Sequence, residues 1–333
     1  MREALRWGMT FPLDGIPLSN QRVLVEALPD LGFTDLWSLE ADGADAFTPL
    51  ALAAVWEPRL SLGTSVVSAY TRGPALLAMH AAALAEAAPG RFSLGIGASS
   101  STIVSQWNAM PYGQPVERCR DMVRFLRSAL SGRLMDEKYA TFGVHGFQLQ
   151  RPPDHPPPIL LAALRPKMAE LAAREADGVI LTLLSAADVR EAVGKYRTPG
   201  WDIAARILVC PTEDAEYARS VGRKLIARHM KIPVYAEHQR SLGRAEDFKP
   251  VWHAWEAKDA KKAIAAVPDH VVDELIVHGS PRQCSERLFE FARQGVTLPL
   301  ISILRTPEMF DRRTDPLQAL LQFLAEMSSG WRK

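Results

Sequence analysis

Short apolar runs alternate along the chain with longer stretches in which apolar positions return every three or four residues. The runs read as strands: Gly8 to Pro12, Thr34 to Leu39, Arg59 to Val67, Phe92 to Gly97, Ile159 to Ala163, Val179 to Leu184, Ile203 to Cys210 and Leu298 to Leu304. The stretches between them read as helices, among them Pro74 to Ala88, Val116 to Leu130, Lys167 to Glu175 and Pro281 to Arg293, most of them opened or closed by Gly, Pro, Ser or Asp. Runs such as VILTLL and LPLISIL lack in–out alternation, the pattern of strands covered on both faces in a parallel sheet. Repeated strand–helix order implies parallel strands joined by right-handed crossovers. An open doubly wound α/β sheet and a closed (β/α)8 TIM barrel both satisfy that order, and eight units favour the barrel.

Two stretches break the rhythm. Residues 132–157, with KYATFGVHGFQLQ and then RPPDHPPP, predict a hairpin followed by a proline-stiffened return into the fifth strand. Residues 213–280 are mostly helical in pattern, too long for one crossover, and carry Tyr235, Trp252, His253 and Trp255. An insertion after a barrel strand decorates the catalytic rim, so this one is either a substrate lid or a packing subdomain whose tryptophans are core. The whole chain, 1–333, is then a single barrel domain with two insertions.

Composition narrows the class. Hydrophobic residues are 47% and charged residues 23%, with a formal charge of +1, so disorder is not expected and nucleic acid has no basic footprint to bind. Cys119, Cys210 and Cys284 lie far apart, outside any C-x-x-C spacing, and read as buried free thiols. The histidines show no metal-ligand spacing, and a Walker loop, a Gly-x-Ser-x-Gly elbow and a complete Rossmann fingerprint are all missing. With neither a secretory leader nor an apolar run long enough to span a bilayer, a cytoplasmic protein free of membrane partners is expected.

Barrel sites form where strands end, so the strand ends carry the candidate chemistry. The fourth ends in FSLGIGASSST: Gly95 and Gly97 permit close backbone approach, and Ser99, Ser100 and Ser101 supply hydroxyls that either cap a helix or bind an anion. The fifth ends in ILLAALRPKMAEL, where Arg165 and Lys167 flank Pro166 at a helix start. Cations there oppose the helix dipole, by about 0.3 to 1 kcal/mol each, unless a bound phosphate or carboxylate reverses the sign. Together the two edges suggest a phosphorylated cofactor. The third ends in LGTSVVSAYTRGP, small and β-branched where a flat ring could lie; the second ends in LWSLEADGAD, placing Glu40 at the rim as an acceptor or a base.

Those residues carry a likeness. Residues 33–131, from GFTDLWSLE through LGTSVVSAYTRGPALLAMHAAALAEAAPGRFSLGIGASS to IVSQWNAMPYGQPVERCRDMVRFLRSALSG, resemble the luciferase-like monooxygenase superfamily, and more narrowly its branch using the 8-hydroxy-5-deazaflavin coenzyme F420. LAALRPKMAELAAREADGVI continues the likeness, which runs to about residue 210. The resemblance implies a barrel with insertions, a redox ring at the strand mouths and a homodimer. It implies a non-prolyl cis peptide at Ser65–Val66 behind the ring, with Glu40, Thr64, Gly95, Ala98, Ala162 and Ala163 around it. It places phosphate at Gly97 to Ser100 and Arg165, Pro166 and Lys167, with Trp107 and Asn108 beside the cofactor tail. Relatives that oxidise alcohols or sugar phosphates have a His after the acidic residue of strand two, where this chain has Ala41, and the first strand, WGMTFP, lacks the carboxylate of some pterin reductases.

The expected activity is therefore hydride transfer between F420 and a small organic substrate, as a reductase of an activated double bond, imine or carbonyl, with Tyr70, Glu40 or water giving the proton. An FMN-dependent monooxygenase and a non-catalytic flavin or deazaflavin carrier are the alternatives.

Overall fold

The structure, a computed structural model, describes residues 5–194, 200–306 and 315–331. Its strands are β1 (Gly8–Phe11), β2 (Asp35–Ser38), β3 (Ser61–Thr64), β4 (Val67–Ser68), β5 (Phe92–Gly97), β6 (Met135–Lys138), β7 (Gly143–Phe147), β8 (Ile159–Ala162), β9 (Gly178–Thr182), β10 (Asp202–Cys210), β11 (Ile276–His278) and β12 (Leu298–Ile303). Parallel pairing runs β1–β2–β3–β5–β8–β9–β10–β12 and back to β1, so the sheet closes on eight staves and the open-sheet alternative is gone. The expected staves are thus all present.

Paired residues of neighbouring parallel strands share a face, so the registers show what fills the barrel. Trp37, Leu160, Ile180, Ala204, Leu298 and Leu300 form an apolar plug inside it. Gly63 makes room for the indole: a Cβ there would lie 2.4 Å from the Trp37 ring. Below the plug, Arg6 joins Asp35 on β2 to Asp202 at the foot of β10 (Nη1 to Oδ2 of Asp202, 3.0 Å). The Asp35 side chain is 1% exposed, so removing its partner strands a buried carboxylate. Arg6→Ala is expected to cost about 3 kcal/mol in urea unfolding; a loss below about 1 kcal/mol would mean that solvent already screens the pair.

Three details depart from the sequence pattern. The expected third strand, Arg59 to Val67, is split: the chain leaves the ladder at Ser65–Val66 and rejoins β5 as β4, with Val67 opposite Ile96. β9 stops at Thr182 instead of Leu184 because Leu183 takes a left-handed backbone (φ +54°). The segment 213–280 holds helices Ala215–Met230, Pro233–Ser241, Ala245–Glu256, Ala260–Ala265 and Asp269–Leu275, and then β11, which pairs with the upper end of β10 (Leu208 opposite Ile276).

These helices have a core of their own, in which Phe248, Val251 and Ile226 pack on Leu183, Leu208 and Cys210 of the barrel. Trp252 and Trp255 lie against this core, and the Trp255 Nε1–H donates to Ala227 O (2.8 Å). Arg244 fastens the same layer to the barrel through Asp188 (2.8 Å) and pairs within the layer with Glu274 (2.9 Å). The hairpin β6–β7 is antiparallel and lies within 132–157. All three cysteines are buried and outside any disulfide among the described residues, and burial pushes the Cys119 and Cys284 thiols up to about 12.

Candidate functional site at the barrel mouth

The staves all point their C-terminal ends the same way, and the sequence-predicted residues of strands two to five meet there. The Ser65–Val66 peptide is cis. Around this break Thr64 takes over the ladder: its hydroxyl donates to Gly95 O (2.8 Å) and accepts from Gly95 N–H (2.9 Å). Gly95 is where the fold admits no side chain, since a Cβ would stand 1.9 Å from the Thr64 carbonyl oxygen. Gly97 is closely packed as well: a Cβ there would meet Val66 Cγ2 at 2.8 Å and the Ala162 Cβ at 3.2 Å. The Ser65 Oγ is buried without a hydrogen-bond partner among the described residues, which a ligand polar group could satisfy.

β5 and β8 are neighbours (Gly95 opposite Leu160), which puts the loop Ala98–Ser101 beside Arg165. Ser99 holds a left-handed φ of +58°, and its carbonyl accepts from the Tyr112 hydroxyl at 3.5 Å. The Ser100 Oγ accepts from Ile103 N–H (3.4 Å) at the start of the short helix Thr102–Trp107, at whose end Trp107 and Asn108 are exposed. Helix Pro166–Glu175 begins with Arg165 as N-cap, no side-chain cap and no acidic residue in its first turn. Helix Ala186–Val193, one unit later, has a complete Ser185–Asp188 capping box. Arg165 and Lys167 are exposed, and neither is ion-paired among the described residues. An uncapped helix start with two unpaired cations has the electrostatics that favour an anion.

Glu40 sits at the second edge in a two-pronged pair with Arg72 (Nε to Oε1, 3.2 Å) and accepts the Ala46 N–H at 3.2 Å. Arg72 also lies 5.0 Å over the Phe47 ring. Nothing marked Arg72 in the sequence except its place just after the third strand. Tyr70, a sequence candidate for proton donor, is 5% exposed and donates to the Gly113 carbonyl, so its proton is already engaged. Burial keeps that phenol above its usual range.

Across the mouth lies a polar layer that the sequence reading missed. Arg206 is opposite Leu300 and Thr182, and therefore points into the barrel just above the plug. Thr10, opposite the inward-facing Trp37, and Ser302 add hydroxyls at this level, and Arg206 Nε donates to Ser302 Oγ at 3.2 Å. The signal was a lone charge in DIAARILVC, a strand buried on both faces. Tyr235 and His229 descend toward Arg206 from the insertion, their rings edge to face at 4.8 Å. Tyr235 packs against the insertion's core, as Trp252 and Trp255 do, and is also close to Arg206. Arg228 also reaches Asp42 beyond strand two at 3.2 Å, bringing the insertion over the rim.

Comparison with known proteins agrees with this geometry. A protein of Mycobacterium tuberculosis named as a coenzyme F420-dependent oxidoreductase is 26% identical over 320 residues, covering 86% of this chain and 91% of that one. The 5,10-methylenetetrahydromethanopterin reductase of Archaeoglobus fulgidus is 26% identical over 291 residues, 82% of this chain and 86% of that one. Among solved structures, the coenzyme F420-dependent tetrahydromethanopterin reductase of Methanopyrus kandleri superposes with a TM-score of 0.78 at 19% identity, covering 97% of this chain and 98% of its own. The profile of the luciferase-like monooxygenase family matches residues 8–298, and the chain belongs to that family.

Proposed function

We propose that this protein is an F420-dependent oxidoreductase that reduces a small organic substrate at the barrel mouth. The observation that carries the reading is the uncapped helix start with Arg165 and Lys167, beside the strand end where Val66 and Ala162 pack closely on Gly97 and the Ser65 hydroxyl is unsatisfied among the described residues. The relatives' names supply the chemistry that such a seat serves. These residues fit the deazaflavin: Thr64, Ser65, Val66, Gly95, Ala98, Ala162 and Ala163 would border the ring. Gly97, Ser99, Ser100, Arg165, Pro166 and Lys167 would hold the phosphate, with Trp107 and Asn108 along the tail.

Bound there, the deazaflavin supplies the hydride. The protein orients and excludes water: the plug floors the site, and the insertion roofs the side above β10. Glu40, held by Arg72 and the Ala46 N–H, acts as an acceptor that fixes the second edge.

The protein works in the cytoplasm as a homodimer. Adjacent helices Phe47–Trp56 and Pro74–Ala87 support the dimer: the first has no charged residue, yet Leu52, Val55, Leu76 and Met79 are exposed on the pair. A helix apolar all round wants cover, which a second copy gives.

Titrating the purified protein with oxidised F420 and with FMN tests the reading. F420 is expected to bind at least tenfold more tightly, and tighter FMN would move the assignment to a flavin monooxygenase.

A further inference from the structure

The proposed cofactor seat occupies the ends of β3, β5 and β8, and leaves the β10 side of the mouth without a role. Arg206, Tyr235 and His229 are each densely surrounded by protein, yet each keeps some accessible surface. Arg206 stands just above the apolar plug, and all three side chains keep contact with solvent there. The guanidinium has one side-chain partner, a neutral one, Ser302 Oγ at 3.2 Å from Nε, and forms no ion pair among the described residues. A cation drawn out of water without a counter-ion is costly to keep and does nothing for the barrel. Arg6, at the opposite end of the barrel, is by contrast matched by Asp35 and Asp202.

We infer that Arg206, beside Ser302 and Tyr235, holds a carboxylate group of the substrate. The inference rests on the mouth being the substrate pocket, as proposed above. The fork of a guanidinium offers two parallel N–H donors, the match for a planar carboxylate. Charge counting favours a monoanion over a phosphate dianion. The charged and titratable groups that bear on Arg206 are Asp14 from the loop after β1, which would repel a second negative charge, and Tyr235 from the insertion. His229 is held neutral first by burial and then by the neighbouring Arg206 and Arg228, so it adds no second cation. Its Nδ1–H donates to the Leu225 carbonyl at 2.8 Å, so in the neutral ring Nε2 is an acceptor and leaves the carboxylate to Arg206.

The substrate class that follows is a small organic acid whose reducible bond lies close enough to its carboxylate for both to fit between the cis peptide and β10. Matched pairs of acid and methyl ester test this: crotonate, trans-cinnamate and trans-2-dodecenoate, each against its ester. Binding is measured by calorimetry on the full chain, with and without saturating oxidised F420. At least one acid is expected to bind about tenfold or more tightly than its ester. Arg206→Met should abolish that preference while leaving ester binding and F420 affinity unchanged, and Arg206→Lys should keep part of it. The proposal is overturned if no acid of the set outbinds its ester, or if Arg206→Met weakens F420 as much as it weakens the acid. Acid preference in a protein that does not bind F420 would sink the cofactor reading and leave the carboxylate subsite standing. F420 binding without acid preference would do the reverse.

Discussion

Gly95→Ala should be among the most damaging single-methyl additions in this protein, with an expected loss of about 3 kcal/mol or more in unfolding free energy. The new Cβ would lie 1.9 Å from the Thr64 carbonyl oxygen and 2.5 Å from Ile180 Cδ1. The isoleucine tip can rotate, but the carbonyl is backbone and is held where it is by the Thr64 hydroxyl's two bonds to Gly95 itself. Relief requires β3 and β5 to separate, which breaks those bonds and shifts the Ser65–Val66 segment at the mouth. Gly97→Ala is the internal comparison: its obstacles are the Val66 and Ala162 side chains, at 2.8 and 3.2 Å, which can yield. About 1 kcal/mol is expected there. Urea unfolding of the two variants against the parent gives the answer, and equal losses would show that the close approach at Thr64 is not rigid.

The same geometry shows what a linear reading can and cannot see. The eight staves were legible because each is a nearly uninterrupted apolar run, and burial on both faces leaves that trace whatever the neighbours are. Pro281–Arg293 was readable to the residue because Ser280 and Gln283 build a capping box around a proline start. The split of β3 was not readable from propensity, since LGTSVVSA is a good strand sequence throughout. Its only residue-level trace is Gly95 on the next strand.

Within the site, Arg165 and Lys167 stood out because cations at a helix start contradict the dipole, a conflict visible in one dimension. Arg206, Thr10 and Ser302 escaped because their meeting depends on closure: β10, β12 and β1 become neighbours only when the sheet joins its ends. Glu40 was visible as a rim carboxylate, but whether it was free or paired depended on Arg72, thirty-two positions away in sequence. Tyr235 illustrates the remaining gap. The insertion's aromatics look alike in sequence and all pack against its core, and only the fold sets Tyr235 apart by bringing it near Arg206.

Arg165→Ala together with Lys167→Ala should weaken oxidised F420 by about 100-fold while leaving the folded state as stable as before or slightly more so. The two effects have opposite signs for one physical reason. Both side chains are exposed, lack ion-pair partners among the described residues and stand at the positive end of helix Pro166–Glu175. Without a ligand they cost up to about 1 kcal/mol each, and neutralising them relieves that repulsion. With a phosphate seated, each becomes a charge-assisted contact of about 1.4 kcal/mol, or tenfold in affinity, at this exposure. Fluorescence titration in low and in moderate salt reads the binding, and the parent's affinity should fall with salt more steeply than the variant's. The phosphate-free chromophore, 8-hydroxy-5-deazariboflavin, serves as the control, since its weaker binding should be the same in both proteins. If the variant loses the chromophore and F420 alike, the two cations support the ring or the loop rather than a phosphate. If it loses neither, the mouth of this barrel holds its ligand by other residues.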